Sequence, residues 1–418
     1  MDFYSKRVML SVLVAASQGI HAAISEIDLA AQENERIQQN LQDRLRYEQE
    51  QLLQSSKAPS RIEIVPPAPK NIEKGPCLNI TAIHVEGVAV IAQREIHKVT
   101  QSYENSCIDA QRIEDIMGKL TALYLSKGYA AARFYLPEQD LKTGTLKLRV
   151  EEGKLSQLQL TERAKGTMSL KTAIIGAEGK PLNLRDLEQA LDQINKLQSN
   201  HATMNIYPGE RIGESIAVFD NEPAKRWNGY FSYDNKGQDS TGRNQAALGV
   251  GIDNIFGLND LLNFSYNRSL PFKANRQDSF SGSVFYAVPL GYQTLSLNAS
   301  RSEYDSTLQT QFNQLHSSGE TNTYTGRVDS LLYRGFNNQL RANIGLTHKD
   351  TAAFLEDIKL DVSSRKLSVL DIGLSYSDML LTGVVNANAG YSRGLKLFNA
   401  LEDAADLPAE MPKAQFEK

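Results

Sequence analysis

The fold is decided by a stretch in which apolar residues alternate with small or polar ones, Ala246-Ala247-Leu248-Gly249-Val250-Gly251-Ile252-Asp253. Successive side chains of a β-strand point to opposite faces. One face therefore carries Ala, Leu, Val and Ile, and the other carries Ala, Gly, Gly and Asp. An apolar face opposite a small, polar face is typical of a strand that separates lipid from a water-filled lumen, so the stretch predicts a transmembrane β-strand.

The same alternation recurs between positions 227 and 394 and predicts about nine antiparallel strands of roughly nine to twelve residues, the length of a tilted bilayer crossing. Segment 288–292 is predicted as a tight periplasmic turn and 302–322 as a long, polar outer loop. A soluble β-sandwich is the alternative, but the Gly and Ser residues opposite the apolar faces supply no thick core. Representative apolar faces are Leu262, Phe264 and Tyr266; Leu295, Leu297 and Ala299; Leu340, Ala342 and Ile344; and Leu370, Ile372 and Leu374.

Two α+β modules precede the predicted barrel, which begins at position 226. Module 77–153 reads as strand, two helices and two strands, and module 154–225 repeats that order. The predicted strands are 80–86, 131–135, 145–151, 155–160, 202–208 and 215–221, and the predicted helices are 93–101, 111–127, 171–175 and 184–197. Two consecutive copies of one order indicate an internal repeat.

The N-terminal region predicts export. Residues 1–22 read as a signal peptide, because Lys6 and Arg7 precede a short apolar run that ends in small residues. Segment 24–54 has helical periodicity with a thin apolar stripe, which fits a plug helix in a wide polar cavity, a coiled-coil arm or a solvated spacer. Segment 55–76 is a proline-rich linker.

The two cysteines, Cys77 and Cys107, are most simply a disulfide in an exported protein, worth about 3 to 4 kcal/mol by the loop-entropy model. Two free thiols are the alternative, and a metal site is less favoured because no histidine lies at ligand spacing. The net charge of -4 disfavours nucleic acid as a partner. The six histidines are scattered and no Walker motif is present, so we expect neither an enzyme nor a cofactor.

Three stretches resemble the first POTRA domain of two-partner secretion transporters: Leu123-Tyr124-Leu125-Ser126-Lys127-Gly128-Tyr129, Phe134-Tyr135-Leu136-Pro137-Glu138-Gln139-Asp140-Leu141 and Gly144-Thr145-Leu146-Lys147-Leu148-Arg149-Val150-Glu151-Glu152-Gly153. The resemblance implies a signal peptide, plug helix, linker, two POTRA domains and a monomeric sixteen-stranded barrel in the lipid of a Gram-negative outer membrane. The POTRA domains would lie in the periplasm. The cysteine pair also matches many members of the family.

The resemblance further implies export of a large haemolysin, adhesin or contact-dependent toxin, whose N-terminal secretion domain docks on the POTRA domains. We expect β-augmentation, in which an extended partner segment pairs with strand 131–135 or strand 145–151. The alternative is that Glu138, Asp140, Lys147 and Arg149 simply form a solvated face. The candidate partner-binding residues are Arg133, Tyr135, Glu138, Asp140, Lys147 and Arg149.

The sequence departs from the family in its barrel. About nine of an expected sixteen strands would leave an open edge in lipid, so we expect a truncated or split sequence that does not insert stably alone. The family's Val-Arg-Gly-aromatic loop is absent; Tyr333-Arg334-Gly335-Phe336 resembles it but falls at a predicted turn. An outer-membrane assembly factor with POTRA domains and a soluble periplasmic binding protein are the alternative functions.

Overall fold

A computed structural model describes residues 31–33, 35–43, 76–271, 277–309, 314–380, 383–404 and 413–418. The predicted signal peptide and almost all of the predicted linker lie outside these ranges. Helix α1 comprises residues 31–33 and 35–43, which is the described part of the predicted helix 24–54. Among the described residues, no helix has the length and apolar character needed to span a membrane.

The first module, POTRA1, has the predicted order with one short strand added. Its elements are β1 (Leu78–Ile80), β2 (Ala82–Glu86), α2 (Gln93–Thr100), β3 (Ser106–Ile108), α3 (Ala110–Ser126), β4 (Arg133–Tyr135) and β5 (Thr145–Glu151). Strands β2, β5 and β4 form a sheet in that order, and β1 pairs with β3. The predicted strand 80–86 is therefore two strands, separated at Thr81, whose N–H donates to the Gly144 carbonyl (2.7 Å).

The POTRA1 core forms where one face of α3 packs on the sheet. Ile116, Leu120 and Tyr124 lie at helical spacing and are fully buried, as are Leu146 and Leu148 at alternate positions of β5. The residues that repeat with helical spacing on α3 and those that alternate on β5 thus pack together in one apolar layer.

The second module, POTRA2, repeats this plan. Its elements are β6 (Lys154–Leu160), α4 (Leu170–Ala173), α5 (Leu184–Asn195), β7 (Ala202–Pro208) and β8 (Glu214–Asn221), with sheet order β6-β8-β7. The modules meet where the Leu184 N–H donates to the Gly128 carbonyl (2.9 Å) and the Leu182 N–H to the Gly153 carbonyl (3.1 Å).

A single antiparallel sheet follows, with nine long strands and the two-residue strand β16. The strands are β9 (Trp227–Asp234), β10 (Asn244–Asp253), β11 (Leu261–Leu270), β12 (Asp278–Leu290), β13 (Gln293–Gln309), β14 (Gln314–Arg334), β15 (Asn338–Leu355), β16 (Ile358–Lys359), β17 (Arg365–Leu380) and β18 (Gly383–Leu395). Strands β9 and β18 lie at its two ends. Residues 416–418 return to the outer edge of β18, where the Ser392 N–H donates to the Lys418 carbonyl (2.9 Å).

The two faces of this sheet differ as the alternation predicts. On β13, Leu297 is 49% exposed whereas its neighbour Asn298 is 8% exposed. Apolar side chains such as Leu248, Phe264 and Ile344 occupy the outer face, and Ser, Thr and Asn occupy the inner one. A soluble sandwich, which would bury the apolar faces between two sheets, is therefore excluded.

The prediction of an outer loop at 302–322 is wrong, and so is the prediction that the strands are at most about twelve residues long. In the described part of this segment, β13 continues to Gln309 and pairs with β14 from Gln314 onward, and β14 has 21 residues. Above the apolar band the outer face is charged: Arg301 pairs with Glu303 (2.5 Å) and Glu320 (2.8 Å). Beyond the hydrocarbon layer both faces meet water, so the hydrophobic alternation that identified the lower strands is lost.

Candidate functional site

The first candidate site is the solvent-facing side of the POTRA1 sheet. Strand alternation places Arg133, Tyr135, Lys147 and Arg149 on this side, and all four are exposed. Tyr135 lies directly opposite Arg149 in the β4–β5 register. The structure thus brings together four of the six predicted partner-binding residues on a face with cationic and aromatic character.

The other two predicted residues lie in the loop after β4. Glu138 is exposed. The Asp140 carboxylate accepts the Lys142 N–H (3.0 Å) and begins the 3-10 turn Leu141–Thr143. Asp140 therefore has a local structural role, because its side chain satisfies a free backbone donor.

The prediction that β5 accepts a partner strand is wrong. Strand β5 is central, with β2 parallel on one side and β4 antiparallel on the other. Strand β2 pairs with β5 over Thr145–Arg149 and β4 pairs with it over Arg149–Glu151, so of the two candidates β4 is the one at an edge of the sheet. Lys147 and Arg149 can contact a partner through their side chains alone.

Gln139 is a site residue that the sequence reasoning missed. Its side-chain amide accepts the Lys147 N–H (2.7 Å) and donates to the Lys147 carbonyl (2.7 Å), as a neighbouring strand would. Strand β4 stops short of this position, and Pro137 in the following loop has no N–H to donate. The Pro-Glu-Gln sequence is the available signal: a proline that ends a strand, followed by an amide that completes its hydrogen bonding.

The second candidate site is α1 on the polar side of the large sheet. Glu35 forms an ion pair with Arg365 of β17, and Lys349 of β15 donates to the Gln42 side chain (2.7 Å). Ser240, in the connection between β9 and β10, donates to Glu33 (3.3 Å). The helix is held by polar side chains from three separate parts of the wall.

Burial follows the same arrangement. Ile37 of α1 is 1% exposed and Gln38 is 8% exposed. Lys349 and Arg365 share the inner face with Thr323 and Thr351 through the strand register. A helix with few apolar residues fits this surface because the surface itself is polar.

The third candidate site is the contact of POTRA2 with the tight turns of the sheet. Thr172 accepts the Gly291 N–H through its carbonyl (2.7 Å), and the Gln193 amide donates to the Gly291 carbonyl (2.7 Å). The Asn259 amide donates to the Ser169 carbonyl (2.6 Å). The predicted tight turn 288–292 is thus confirmed, and it lies on the periplasmic side with POTRA2.

A half-buried lysine, Lys196, lies within this contact. The Lys196 ammonium donates to the Thr294 hydroxyl (2.9 Å) at the lower end of β13. Burial lowers the pKa of Lys196 to about 8; Arg341 lowers it further, whereas Asp329 and Asp192 oppose the shift. The POTRA2 side of the contact therefore holds a cation at the base of the polar face.

These features define a class: an outer-membrane protein in which two periplasmic POTRA domains precede a β-barrel sheet with a helix on its polar side. Comparison with known proteins agrees. The family model for haemolysin secretion/activation proteins of the ShlB/FhaC/HecB type matches residues 213–418, the ShlB-type POTRA model matches 78–153, and a further POTRA model matches 154–208. The chain belongs to this family, as the resemblance implied.

Individual relatives are transporters by name. The chain is 31% identical to the outer membrane transporter CdiB of Dickeya dadantii (strain 3937), over 83% of this chain and 62% of the relative. It is 32% identical to the hemolysin transporter protein ShlB of Serratia marcescens, over 81% of this chain and 60% of the relative. The chain thus spans about three-fifths of the length of these curated relatives.

Solved structures agree with the fold. CdiB from Escherichia coli superposes with a TM-score of 0.77 at 30% identity, covering 96% of this chain and 71% of that one. CdiB from Acinetobacter baumannii superposes with a TM-score of 0.70 at 20% identity, covering 87% and 71%, and supports the fold alone.

Proposed function

We propose that this chain acts as the outer-membrane transporter of a two-partner secretion system, which recognises and exports a large partner protein without nucleotide hydrolysis. The observation that carries the proposal is the occupied polar face: a helix from outside the barrel lies on the lumen side of a membrane sheet whose turns rest on POTRA2. A path lined by Ser, Thr and Asn suits an unfolded polypeptide, because these side chains can form hydrogen bonds with its polar backbone. The family match favours export over barrel assembly.

Recognition is proposed at POTRA1. An extended segment of the partner's N-terminal secretion domain would pair with the outer edge of β4 through main-chain hydrogen bonds, while Tyr135 and Arg149 contact its side chains. Cationic and aromatic side chains select an extended segment that carries acidic and apolar residues. The partner class, a haemolysin, adhesin or contact-dependent toxin, follows from the family.

The role proposed for α1 is that of a plug. The polar contacts that its described residues make with the wall include hydrogen bonds and a partly exposed ion pair, each of a kind worth about 1 kcal/mol or less. Such contacts hold a helix in place at rest and release it when a partner competes for the lumen. A periplasmic coiled-coil arm would not need an ion pair with the inner face of β17.

Fixing α1 to the wall tests the proposal. Cysteines replace Glu35 and Arg365, and a short bis-maleimide joins them in cells that express the partner. We expect the linked protein to secrete at least ten-fold less partner than either single-cysteine variant given the same reagent. Unchanged secretion by the linked protein would contradict the plug.

Recognition is tested separately. Tyr135→Ala with Arg149→Ala should weaken binding of the partner's secretion domain at least ten-fold, because both side chains lie on one exposed face. The matched control is Arg211→Ala, which removes an exposed cation from the POTRA2 hairpin. Equal binding by both variants would exclude this face.

A further inference from the structure

A buried ionic cluster joins POTRA2 to the barrel. Arg334, the last residue of β14, has a side chain that is 3% exposed and that reaches three acceptors on α5. It donates to Asp192 (2.6 Å), to Glu188 (3.3 Å) and to Gln189 (3.3 Å). Glu188 is itself 1% exposed and pairs with Arg185 (2.8 Å).

The cluster has the form of a ladder of alternating charge. Positions 185, 188 and 192 follow helical spacing along one side of α5, and Arg334 enters between the two carboxylates from the barrel. A guanidinium suits this place because its planar set of donors can bond several acceptors at once. Removing one partner from such a buried cluster is far costlier than removing a surface ion pair, because a charge is left buried without its counterion.

The cluster lies at the β14–β15 end of the contact between POTRA2 and the sheet. The turns at 254–260 and 291–292 also bond to POTRA2, and the second reaches α5 through Gly291 with Gln193 and Tyr292 with Asp186. The β14–β15 end adds a guanidinium that is buried between two carboxylates of α5. Beyond Arg334, Phe336 lies near the Arg185 guanidinium (5.5 Å to the ring centroid). The β14–β15 end therefore adds a buried ionic contact to the hydrogen bonds that the other two turns make with POTRA2.

We propose that Arg334 is a positioning residue that holds α5 of POTRA2 against the barrel rim, so that POTRA2 and the barrel move as one body. The proposal rests on the proposed export function for its biological meaning, since a fixed POTRA2 keeps an extended partner aligned with the lumen. Its structural content can be measured without export.

The test is a distance measurement on the full chain, folded and purified in detergent. Spin labels are placed at Ile212→Cys, which is 95% exposed in the POTRA2 hairpin, and at Lys359→Cys, which is exposed in β16. Both native cysteines are in the disulfide, so they do not compete for label. Pulsed EPR then gives the distribution of distances between POTRA2 and the barrel.

We expect Arg334→Gln to widen that distribution at least two-fold and Arg334→Lys, which keeps the charge, to recover part of the parent width. Asp192→Asn should widen it less, because Arg334 keeps Glu188. The matched control is Arg327→Gln, which removes a β14 arginine whose partner Asp329 lies on the same strand (2.8 Å). Heat-modifiable gel migration confirms that each barrel is folded.

A parent-like distribution in folded Arg334→Gln would overturn the proposal, and so would equal widening in Arg327→Gln. Secretion by the same variants separates the two proposals. Widened distances with no partner exported by the parent chain would leave the positioning role intact and contradict the export function. A parent-like distance distribution in Arg334→Gln together with normal export would contradict the positioning role and leave the export function intact.

Discussion

Replacing Lys196 with Met should stabilise the contact between POTRA2 and the barrel at neutral pH. The pKa of Lys196 is lowered from 10.5 to about 8 by burial. A shift of that size means that the charged form costs roughly 3 kcal/mol in the folded protein. Methionine matches the length of the stem, removes the charge and loses the hydrogen bond to Thr294, which is worth about 1 kcal/mol. The net gain expected at pH 7 is about 2 kcal/mol.

The sign of the pH dependence follows from the direction of the shift. Below pH 8 the amine is protonated in both the folded and unfolded states, so the full cost is present. Between pH 8 and 10.5 the folded state loses its proton first, the cost fades, and the parent gains stability relative to Lys196→Met. At pH 10.5 the cost of burying the charge has disappeared from the parent, and the main difference is the hydrogen bond to Thr294 that the variant lacks. The variant should then be less stable than the parent by about 1 kcal/mol.

Urea unfolding in detergent measures this difference. Trp227, the sequence's one tryptophan, lies at the start of β9 beside the POTRA2 contact, and its fluorescence reports the junction. The matched control is Lys165→Met, which removes an exposed POTRA2 lysine paired with Glu162 (2.5 Å) and should change stability by less than about 0.5 kcal/mol. Equal pH slopes for the parent and Lys196→Met would refute the reasoning, because Asp192 and Asp329 would then fully compensate the buried cation.

Two further predictions concern POTRA1. A disulfide joins Cys77, just before β1, to Cys107 in the middle of β3, and their Cα atoms are 5.3 Å apart. Replacing both with Ser should destabilise POTRA1 by about 3 to 4 kcal/mol, measured by thermal unfolding, and no change would contradict the cross-link. Gly87→Ala should destabilise by about 1 to 2 kcal/mol, because Gly87 has φ +82° and an added Cβ would lie 2.4 Å from the Val150 carbonyl oxygen. Gly118→Ala, in an exposed turn of α3 with open space around it, should instead stabilise by up to about 1 kcal/mol; the same sign for both glycines would count against this account.

The fold was predictable where one periodicity repeats without interruption. Alternation over β10, β13 and β15 identified nine long strands, and the repeat of strand and helix order identified both POTRA modules. The prediction of a loop at 302–322 failed because hydrophobic alternation requires lipid on one face and water on the other. Above the membrane, β13 and β14 have water on both faces. A strand such as β3, with three residues, is too short to show a period.

The candidate sites were less predictable because their contacts are distant in sequence. Arg334 is 146 positions from Glu188, and no local pattern connects a turn arginine with a helix carboxylate. Lys196 reads as an ordinary cation near the end of a helix until Thr294 and Arg341 surround it. Arg133, Tyr135, Lys147 and Arg149 were predicted as partner-binding residues from the expected fold, and strand alternation explains why all four lie on one exposed face.

The two POTRA modules differ in how far the edges of their sheets are already bonded within the chain. In POTRA2 the Asn195 amide bonds both the N–H (2.7 Å) and the carbonyl (2.9 Å) of Ala202 at the start of β7, and Lys180 and Glu178 bond β6 on its outer side. These groups occupy positions that a partner strand would need. The polar side chains of α5 bond the barrel. POTRA1 has the opposite balance: its cationic and aromatic face is open, and Gln139 covers a single residue of β5. These differences favour the proposal that the partner is recognised at POTRA1, because in POTRA2 α5 and the bonded stretches of the sheet edges already have partners within the chain.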